Sequence, residues 1–255
     1  MIEFEHTETM GWEAAIRGMR NPHNSWDKSD SKYLRQEDGH IIASRYEIGP
    51  NDHDLMMRLV KAGTDHRKFM RMIVVYVDVT APLYWWKEFK TYRAGKRWGD
   101  EELDAFVIPS DYLEYDIEMN SCSTMHKIHA KEFTMGDFSC EKLLIETQKG
   151  EAEIRDQFGE GTGYYVTPLR LLCLTVRCLN EYRDLYLQTG DKMWWEQMIQ
   201  LLPSSYNQRR TLMLNYEVLA NIYRARRNHK LTEWREFCRW IETLPYSELI
   251  TGGAE

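Results

Sequence analysis

The fold is indicated most strongly by the stretch Leu202-Pro-Ser-Ser-Tyr-Asn-Gln-Arg-Arg-Thr-Leu-Met-Leu-Asn215-Tyr-Glu-Val-Leu-Ala-Asn221-Ile-Tyr-Arg-Ala-Arg226. A turn and a short apolar run lead to a helix that begins near Asn215, whose side-chain oxygen is suited to cap it. Amides hydrogen-bond heterocycle edges and ribose hydroxyls, and a guanidinium binds planar anionic or carbonyl-rich partners. Two amides and a guanidinium on one helix therefore indicate a ligand site, with an exposed polar helix as the alternative.

A second segment runs from a strand into a helix. Val, Ile and Tyr dominate residues Ile73–Val79, as expected for a strand. Pro82 fits the first turn of the helix that follows, because its missing N–H is not needed there. The helix is expected to end near Arg93.

Taken together, these segments resemble the flavin-dependent thymidylate synthase family over about residues 50–240. That family has a Leu-Pro turn and then two amides and an arginine at the spacing of Asn215, Asn221 and Arg226. It also has Ala-Pro before a helix that ends in Arg-His-Arg, where this chain retains Arg93. The resemblance implies an α+β fold with an antiparallel sheet flanked by helices, in an oligomer that is most simply a homotetramer.

The resemblance also implies a function. It is the flavin-dependent methylation, or a related alkylation, at C5 of a pyrimidine deoxynucleotide such as dUMP, with FAD as cofactor and methylenetetrahydrofolate and NADPH as co-substrates. In this reading Arg226 is catalytic, since it contacts a uracil carbonyl and stabilises negative charge at N3. The expected cofactor-binding residues are Lys68, Tyr92, Arg93, Ser121, Asn215 and Asn221. The expected substrate-binding residues are Glu88, Ser123, Arg209, Arg210 and Arg226, and no metal site is expected.

The chain also departs from the family pattern. Tyr92 stands where the family has a histidine, and Ser121 stands where it has a glutamate. Glu88 replaces a glutamine that contacts the nucleotide, and an ionised carboxylate repels a phosphate. Arg209 and Arg210 are candidates for the missing phosphate ligands. The alternative function is a non-catalytic oligomeric protein of the same fold, used for binding or assembly.

Composition limits the remaining classes of function. The 255 residues carry a net charge of −7, which argues against nucleic acid as a partner. No stretch is apolar enough to span a membrane, and the N-terminus has no signal-peptide pattern. Five cysteines without CxxC spacing fit a reducing compartment, so a cytoplasmic location is expected.

The chain reads as one domain over residues 1–255, with an inserted loop at Ala94–Met119. The first forty residues read as irregular. Asn51 or Asp52 is expected to cap a helix that stops near Gly63. Further predicted elements are a strand at Ile41–Ile48 and helices capped by Thr167, Asp191 and Thr232.

Overall fold

The computed structural model describes residues 1–35, 41–93, 117–145, 152–154 and 164–252. This part of the chain mixes helices with strands. Its α-helices are α1 (Trp12–Arg20), α2 (Pro50–Lys61), α3 (Leu83–Phe89), α4 (Pro168–Thr189), α5 (Lys192–Leu201), α6 (Tyr216–Arg226), α7 (Thr232–Glu242) and α8 (Glu248–Thr251).

The strands form one four-stranded sheet and two short ribbons. They are β1 (Glu3–Met10), β2 (Lys32–Arg35), β3 (Ile41–Glu47), β4 (Val74–Pro82), β5 (Glu118–Ser121), β6 (Ala152–Ile154), β7 (Tyr164–Val166) and β8 (Asn207–Asn215). The larger sheet has the order β1-β4-β8-β5, and the ribbons β2–β3 and β6–β7 are antiparallel. The predicted α+β class with antiparallel pairing is confirmed.

The chain divides into two compact units. Unit 1 comprises Met1, Thr80–Lys87 and Ser121–Arg209, and unit 2 comprises Ile2–Val79, Glu88–Asn120 and Arg210–Glu255. The single domain with an insertion at 94–119 stays a prediction, and residues 94–116 lie outside the described residues. Glu118 and Met119, which were assigned to the loop, instead begin strand β5.

The core of unit 1 is formed by α4, α5 and the segment 128–138. Thr167 caps α4 through a hydrogen bond from the Arg170 N–H, Pro168 is its first residue, and Gly190 ends it with a φ of 67°, all as predicted. Asp191 caps α5, also as predicted. The buried apolar side chains of this unit include Ile128, Phe133, Phe138, Leu172, Val176, Leu179 and Met198.

The core of unit 2 is rich in aromatic rings. Phe237 of α7 contacts Phe4 and Trp240 at centroid distances of 5.9 and 5.2 Å, and it contacts Phe89 and Trp234 at 5.7 and 6.1 Å. The three residues Trp234, Phe237 and Phe89 have no exposed surface. These rings fix α7 against the end of α3, which matters for the site described below.

The first forty residues are predicted to be irregular, and for residues 1–35, the part of them that the structure describes, this prediction is wrong. These residues contain β1 and α1. β1 is an edge strand whose side chains are mostly exposed, so it lacks the alternation of apolar and polar residues that marks a half-buried strand. α1 buries Trp12, Ala15, Ile16 and Met19 on one face, a helical pattern that the polar surroundings conceal.

The apolar run expected before Asn215 lies in a regular strand, β8. Local signals for the start of a helix failed at three places. Pro82 ends β4 instead of starting α3, and Leu231 instead of Thr232 precedes α7. Gly49 precedes α2, and the Asp52 carboxylate faces Arg20, with Oδ1 at 2.5 Å from Nε. A buried guanidinium binds this carboxylate more strongly than a helix end does.

Candidate functional site

Helix α6 carries three of the predicted site residues, and its beginning is set by one of them. The Oδ1 atom of Asn215 accepts a hydrogen bond of 2.9 Å from the Val218 N–H. Asn215 is buried. The predicted cap is therefore confirmed, and the contact of Asn215 with a cofactor stays a prediction.

The end of α6 brings Arg226 together with two other predicted site residues. Arg226 Nη1 lies 2.7 Å from Glu88 Oε1, and Arg226 Nε donates a hydrogen bond of 2.6 Å to the hydroxyl of Tyr92. The guanidinium carbon also lies 5.0 Å from the ring centroid of Trp234 and 5.5 Å from that of Tyr92. Glu88, Tyr92, Trp234 and Arg226 form what we call the Arg226 cluster.

The carboxylate of Glu88 is the acceptor of this cluster. Its Oε2 atom accepts a hydrogen bond of 2.7 Å from Trp234 Nε1, and His229 Nε2 lies 3.6 Å from Oε1. The side chains of Arg226 and Glu88 are 21% and 30% exposed, so the ion pair still reaches the surface. The Glu88 and Arg226 charges cancel, while the remaining guanidinium N–H groups stay available to a carbonyl-bearing ligand.

The three residues of α6 are too far apart to contact one small ring. At a rise of 1.5 Å per residue, Asn215 and Arg226 lie about 16 Å apart along the helix axis. Asn221 projects about 140° away from Arg226 around the axis. Asn221 is half-buried, and within the described ranges its amide makes no hydrogen bond. A long cofactor or two separate ligands would be needed to use all three.

Lys68 lies near the beginning of α6. It starts the 3₁₀ turn Lys68–Met72, which packs against α6, and its own side chain is exposed. The preceding residue, Arg67, donates a hydrogen bond of 2.9 Å to Glu217 in the first turn of α6, and both side chains are buried. This buried pair fixes the Lys68 backbone beside the amide end of the helix.

The two predicted phosphate ligands point to opposite faces of β8. Gln208, Arg210, Leu212 and Leu214 are buried, and the residues between them are less so. Arg210 Nη1 lies 3.1 Å from the Met119 sulfur, and Arg209 is half-buried. Because neighbouring side chains of a strand face opposite sides, the two arginines do not converge on one phosphate.

The remaining predicted residues are placed as follows. Ser121 ends β5 and is exposed, and the Oγ atom of exposed Ser123 accepts a hydrogen bond of 3.3 Å from the Met125 N–H. Arg93 ends the 3₁₀ turn Lys90–Arg93, and its side chain lies outside the described residues.

Among the residues that the structure describes, no group of three or more His, Cys, Asp or Glu side chains is arranged to hold a metal ion. The described helices include none that is both long enough and apolar enough to cross a membrane.

Sequence reasoning missed the residues that hold Arg226. The substrate-binding role of Glu88 stays a prediction; in the structure Glu88 pairs with Arg226, and the ring of Trp234 lies 5.0 Å from the same guanidinium. A signal was present, since the family that the sequence resembles has a glutamine where this chain has Glu88, and a carboxylate in that place suggests a charged partner. The approach of Trp234 from α7 depends on tertiary packing, so no local pattern reveals it.

Comparison with known proteins finds solved structures with a similar fold, but it finds no protein with a similar sequence. No family model matches the sequence, and no curated protein matches it. Solved structures do match over nearly the whole chain, and the class they define is the flavin-dependent thymidylate synthase fold.

Two of these structures are of the enzyme ThyX from Helicobacter pylori. The first, a complex with FAD and dUMP, superposes with a TM-score of 0.58 at 12% identity and covers 100% of this chain and 99% of that one. The second, also with FAD and dUMP, has a TM-score of 0.56 at 13% identity and covers 97% and 94%. At this identity the likeness establishes the fold.

Proposed function

We propose that this protein is a flavin-dependent enzyme that methylates, or otherwise alkylates, C5 of a pyrimidine deoxynucleotide such as dUMP. The observation that carries the proposal is the Arg226 cluster, in which a guanidinium is held beside two aromatic rings by Glu88 and Tyr92. The full-length fold likeness to proteins that hold FAD and dUMP supports the same reaction class.

Arg226 orients the pyrimidine and stabilises charge on it. Glu88 and Tyr92 hold the guanidinium in one position, so its remaining N–H groups are directed before a substrate arrives. Fixed donors cost little reorganisation when negative charge develops at N3 of the ring, which is why they lower a barrier. The rings of Trp234 and Tyr92 pack beside the guanidinium, while the ion pair keeps an edge at the surface where a ligand can approach.

Some of the proposed cofactor-binding residues carry groups that are suited to binding FAD. The half-buried amide of Asn221, which makes no hydrogen bond in the described chain, and the exposed ammonium of Lys68 are suited to a flavin edge and a diphosphate. Asn215, Tyr92, Arg93 and Ser121 complete the proposed set. When bound and reduced, FAD would supply hydride, with methylenetetrahydrofolate as carbon donor and NADPH as reductant. The proposed enzyme is a cytoplasmic homotetramer.

Substrate phosphate requires basic side chains outside the Arg226 cluster, because that cluster is electrically balanced. We assign this role to Arg209, with Ser123 as a hydroxyl donor and Glu88 on the base side. Arg210 was the other candidate, and its buried contact with Met119 makes it the weaker one.

Flavin and nucleotide binding test the proposal directly. Purified protein should show the absorbance of oxidised flavin or bind added FAD in a fluorescence titration. The substitution Arg226→Ala should weaken dUMP binding at least tenfold or so while FAD binding persists, since a charge-assisted hydrogen bond contributes about 1.5–3 kcal/mol. Arg224→Ala, an exposed change on the same helix, is the matched control. Absence of FAD binding by the wild-type protein would refute the proposal.

A second candidate function is a non-catalytic binding or assembly protein of this fold. The observation that favours it is that Glu88 already neutralises Arg226 within the chain. This candidate predicts that neither FAD nor dUMP raises the melting temperature of the purified protein. It also predicts that Arg226→Ala leaves any cellular phenotype intact, whereas loss of thymidine-independent growth would reject it.

A further inference from the structure

Unit 2 contains a cavity with a volume of about 1100 Å³, which we call the β1 cavity. It lies among β1, the β2–β3 ribbon and the segment 240–246. The described residues that line it include no member of the Arg226 cluster. Its size is comparable to that of the larger small-molecule sites in proteins. The cavity is therefore a candidate for a ligand other than the proposed nucleotide.

Aromatic rings from three parts of unit 2 line the β1 cavity. Phe4 is stacked on Trp240 with the ring centroids 5.1 Å apart, and Trp12 meets Tyr246 edge to face at 5.3 Å. Tyr46 lines the cavity from the β2–β3 ribbon. The face of an aromatic ring attracts a cation and also packs against methylene groups. These walls therefore suit a ligand that combines positive charge with an apolar body.

Hydrogen bonds fix two of these rings before any ligand arrives. Trp240 Nε1 donates a hydrogen bond of 3.1 Å to Thr7 Oγ1. The Tyr246 hydroxyl accepts one of 3.0 Å from the Ile48 N–H. Because these rings are already held in place, little conformational entropy is lost when a ligand packs on them.

The charged groups that line the β1 cavity are acidic. Glu8 and Glu47 are exposed, and the described lining includes no Lys, Arg or His. Within the described ranges neither carboxylate forms an ion pair, although Lys32 lies opposite Glu47 in the ribbon. Burial and then the charge of Glu13 raise the pKa of Tyr46 to about 12, which agrees with a negative potential here. A cation is favoured in this cavity, and a phosphate is disfavoured.

The β1 cavity is elongated. Strand β1 lines it from Phe4 to Met10, and six steps along a strand span at most about 20 Å. The positive φ of His6, 51°, shortens that distance. A long, narrow ligand can use this length, whereas a small round cation would contact only part of the lining.

We propose that the β1 cavity binds an elongated organic amine of the polyamine class. Its ammonium groups bind the carboxylates of Glu8 and Glu47, because charge-assisted hydrogen bonds join these groups. Its methylene chain lies on the aromatic rings, where the carbons beside each positive nitrogen contact the ring faces. The site and its ligand are independent of the proposed reaction on a nucleotide.

Calorimetric titration with spermidine tests the proposal. The wild-type protein should bind spermidine more tightly than octanediol, a neutral chain of similar length. Glu8→Gln and Glu47→Gln should each weaken spermidine binding by about fivefold, because one ion pair near the surface is lost. Glu3→Gln is the matched control, since it removes the same charge from an exposed position of β1 outside the cavity lining. That variant should bind spermidine as the wild type does.

Three results of this titration would overturn the proposal. They are no binding of spermidine, equal binding of octanediol, and equal affinity of the Glu8→Gln and Glu3→Gln variants. The first would leave the cavity without the proposed ligand. The second would show an apolar site without preference for charge, and the third would show attraction to the net charge of the protein rather than to the cavity.

Exchange of one aromatic ring tests the position of the methylene chain. Tyr46→Leu should weaken spermidine binding by about threefold or more, because a ring face that contacts the cation is lost. Tyr46→Phe keeps the ring and should retain wild-type affinity. Melting curves of both variants show whether each is folded. Equal affinity of folded Tyr46→Leu and Tyr46→Phe would rule out the ring contact and overturn the proposed binding mode.

Discussion

The Arg226 cluster makes a quantitative prediction for the substitution Glu88→Gln. The amide keeps the size of the carboxylate and one acceptor oxygen for Trp234, but it loses the charge that pairs with Arg226. Its NH₂ group cannot accept a hydrogen bond, so either the Arg226 contact at 2.7 Å or the Trp234 contact at 2.7 Å is lost.

The expected cost follows from the exposure of the pair. Exposed ion pairs contribute about 0.2–1 kcal/mol, and hydrogen bonds to charged groups contribute about 1.5–3 kcal/mol. With side chains 21% and 30% exposed, the Arg226–Glu88 pair lies between these limits, and solvent screening favours the lower part. We expect Glu88→Gln to lower the free energy of unfolding by about 1 kcal/mol. In a chain of this size the melting temperature should fall by about 2–4 °C.

Urea denaturation of both proteins measures this difference. Asp54→Asn is the control, because Asp54 forms an ion pair of 2.9 Å with Arg58 in which both side chains are more than half exposed. That change should leave the free energy of unfolding almost unaltered. A double-mutant cycle between Glu88→Gln and Arg226→Ala should give a coupling energy of about 1 kcal/mol. Glu88→Gln as stable as the wild type, with no coupling to Arg226, would refute the geometry of the cluster.

Three changes outside the cluster have defined outcomes in the same denaturation assay. Asn215→Ala should cost about 1 kcal/mol, because the Val218 N–H loses its cap; an unchanged midpoint would contradict the capping role. Gly11→Ala should cost at least about 2 kcal/mol, because φ is +93° there and a Cβ would lie 2.1 Å from the Met72 carbonyl oxygen; a smaller loss would contradict that close approach. Burial alone would raise the pKa of Asp52, but hydrogen bonds from two serines and an arginine lower it below its ordinary value of 3.8 overall. The stability it contributes is therefore complete above pH 3.8 and declines as pH falls through the lower folded-state pKa. Asp52→Asn should be destabilised at pH 7 and approach the wild type in more acidic buffer, and an equal deficit at both pH values would contradict this assignment.

The parts of the fold that the sequence predicts correctly are helix ends whose signals lie within about one helical turn of the end. Thr167-Pro168 and Gly190 define both ends of α4, and Asn215 defines the start of α6, since each cap depends on groups within four residues. β1 could not be predicted in this way. Its regular structure comes from pairing at the edge of the sheet with β4, a partner more than sixty residues away in the chain.

The contacts among the candidate site residues could not be predicted from the sequence, and their roles in ligand binding stay predictions. Glu88, Tyr92 and Arg226 are all expected to bind a ligand, and the structure brings Glu88 and Tyr92 within hydrogen-bonding distance of Arg226. Sequence spacing gave no sign that they bind each other, because α3 and α6 are separated by more than a hundred residues. It also could not show that Arg209 and Arg210 face apart, since that depends on β8 being a strand.

The charge balance of the Arg226 cluster narrows which part of a nucleotide it can recognise. A guanidinium already paired with Glu88 offers directed N–H donors but no net positive field. Such donors suit the neutral carbonyl edge of a pyrimidine, whereas a phosphate dianion requires uncompensated positive charge. The same ion pair that favours the non-catalytic alternative is therefore compatible with binding of the base. It follows that a nucleoside such as deoxyuridine should retain most of the dependence on Arg226 that dUMP shows. The proposed base contact would fail if Arg226→Ala weakened dUMP binding and left deoxyuridine binding unchanged.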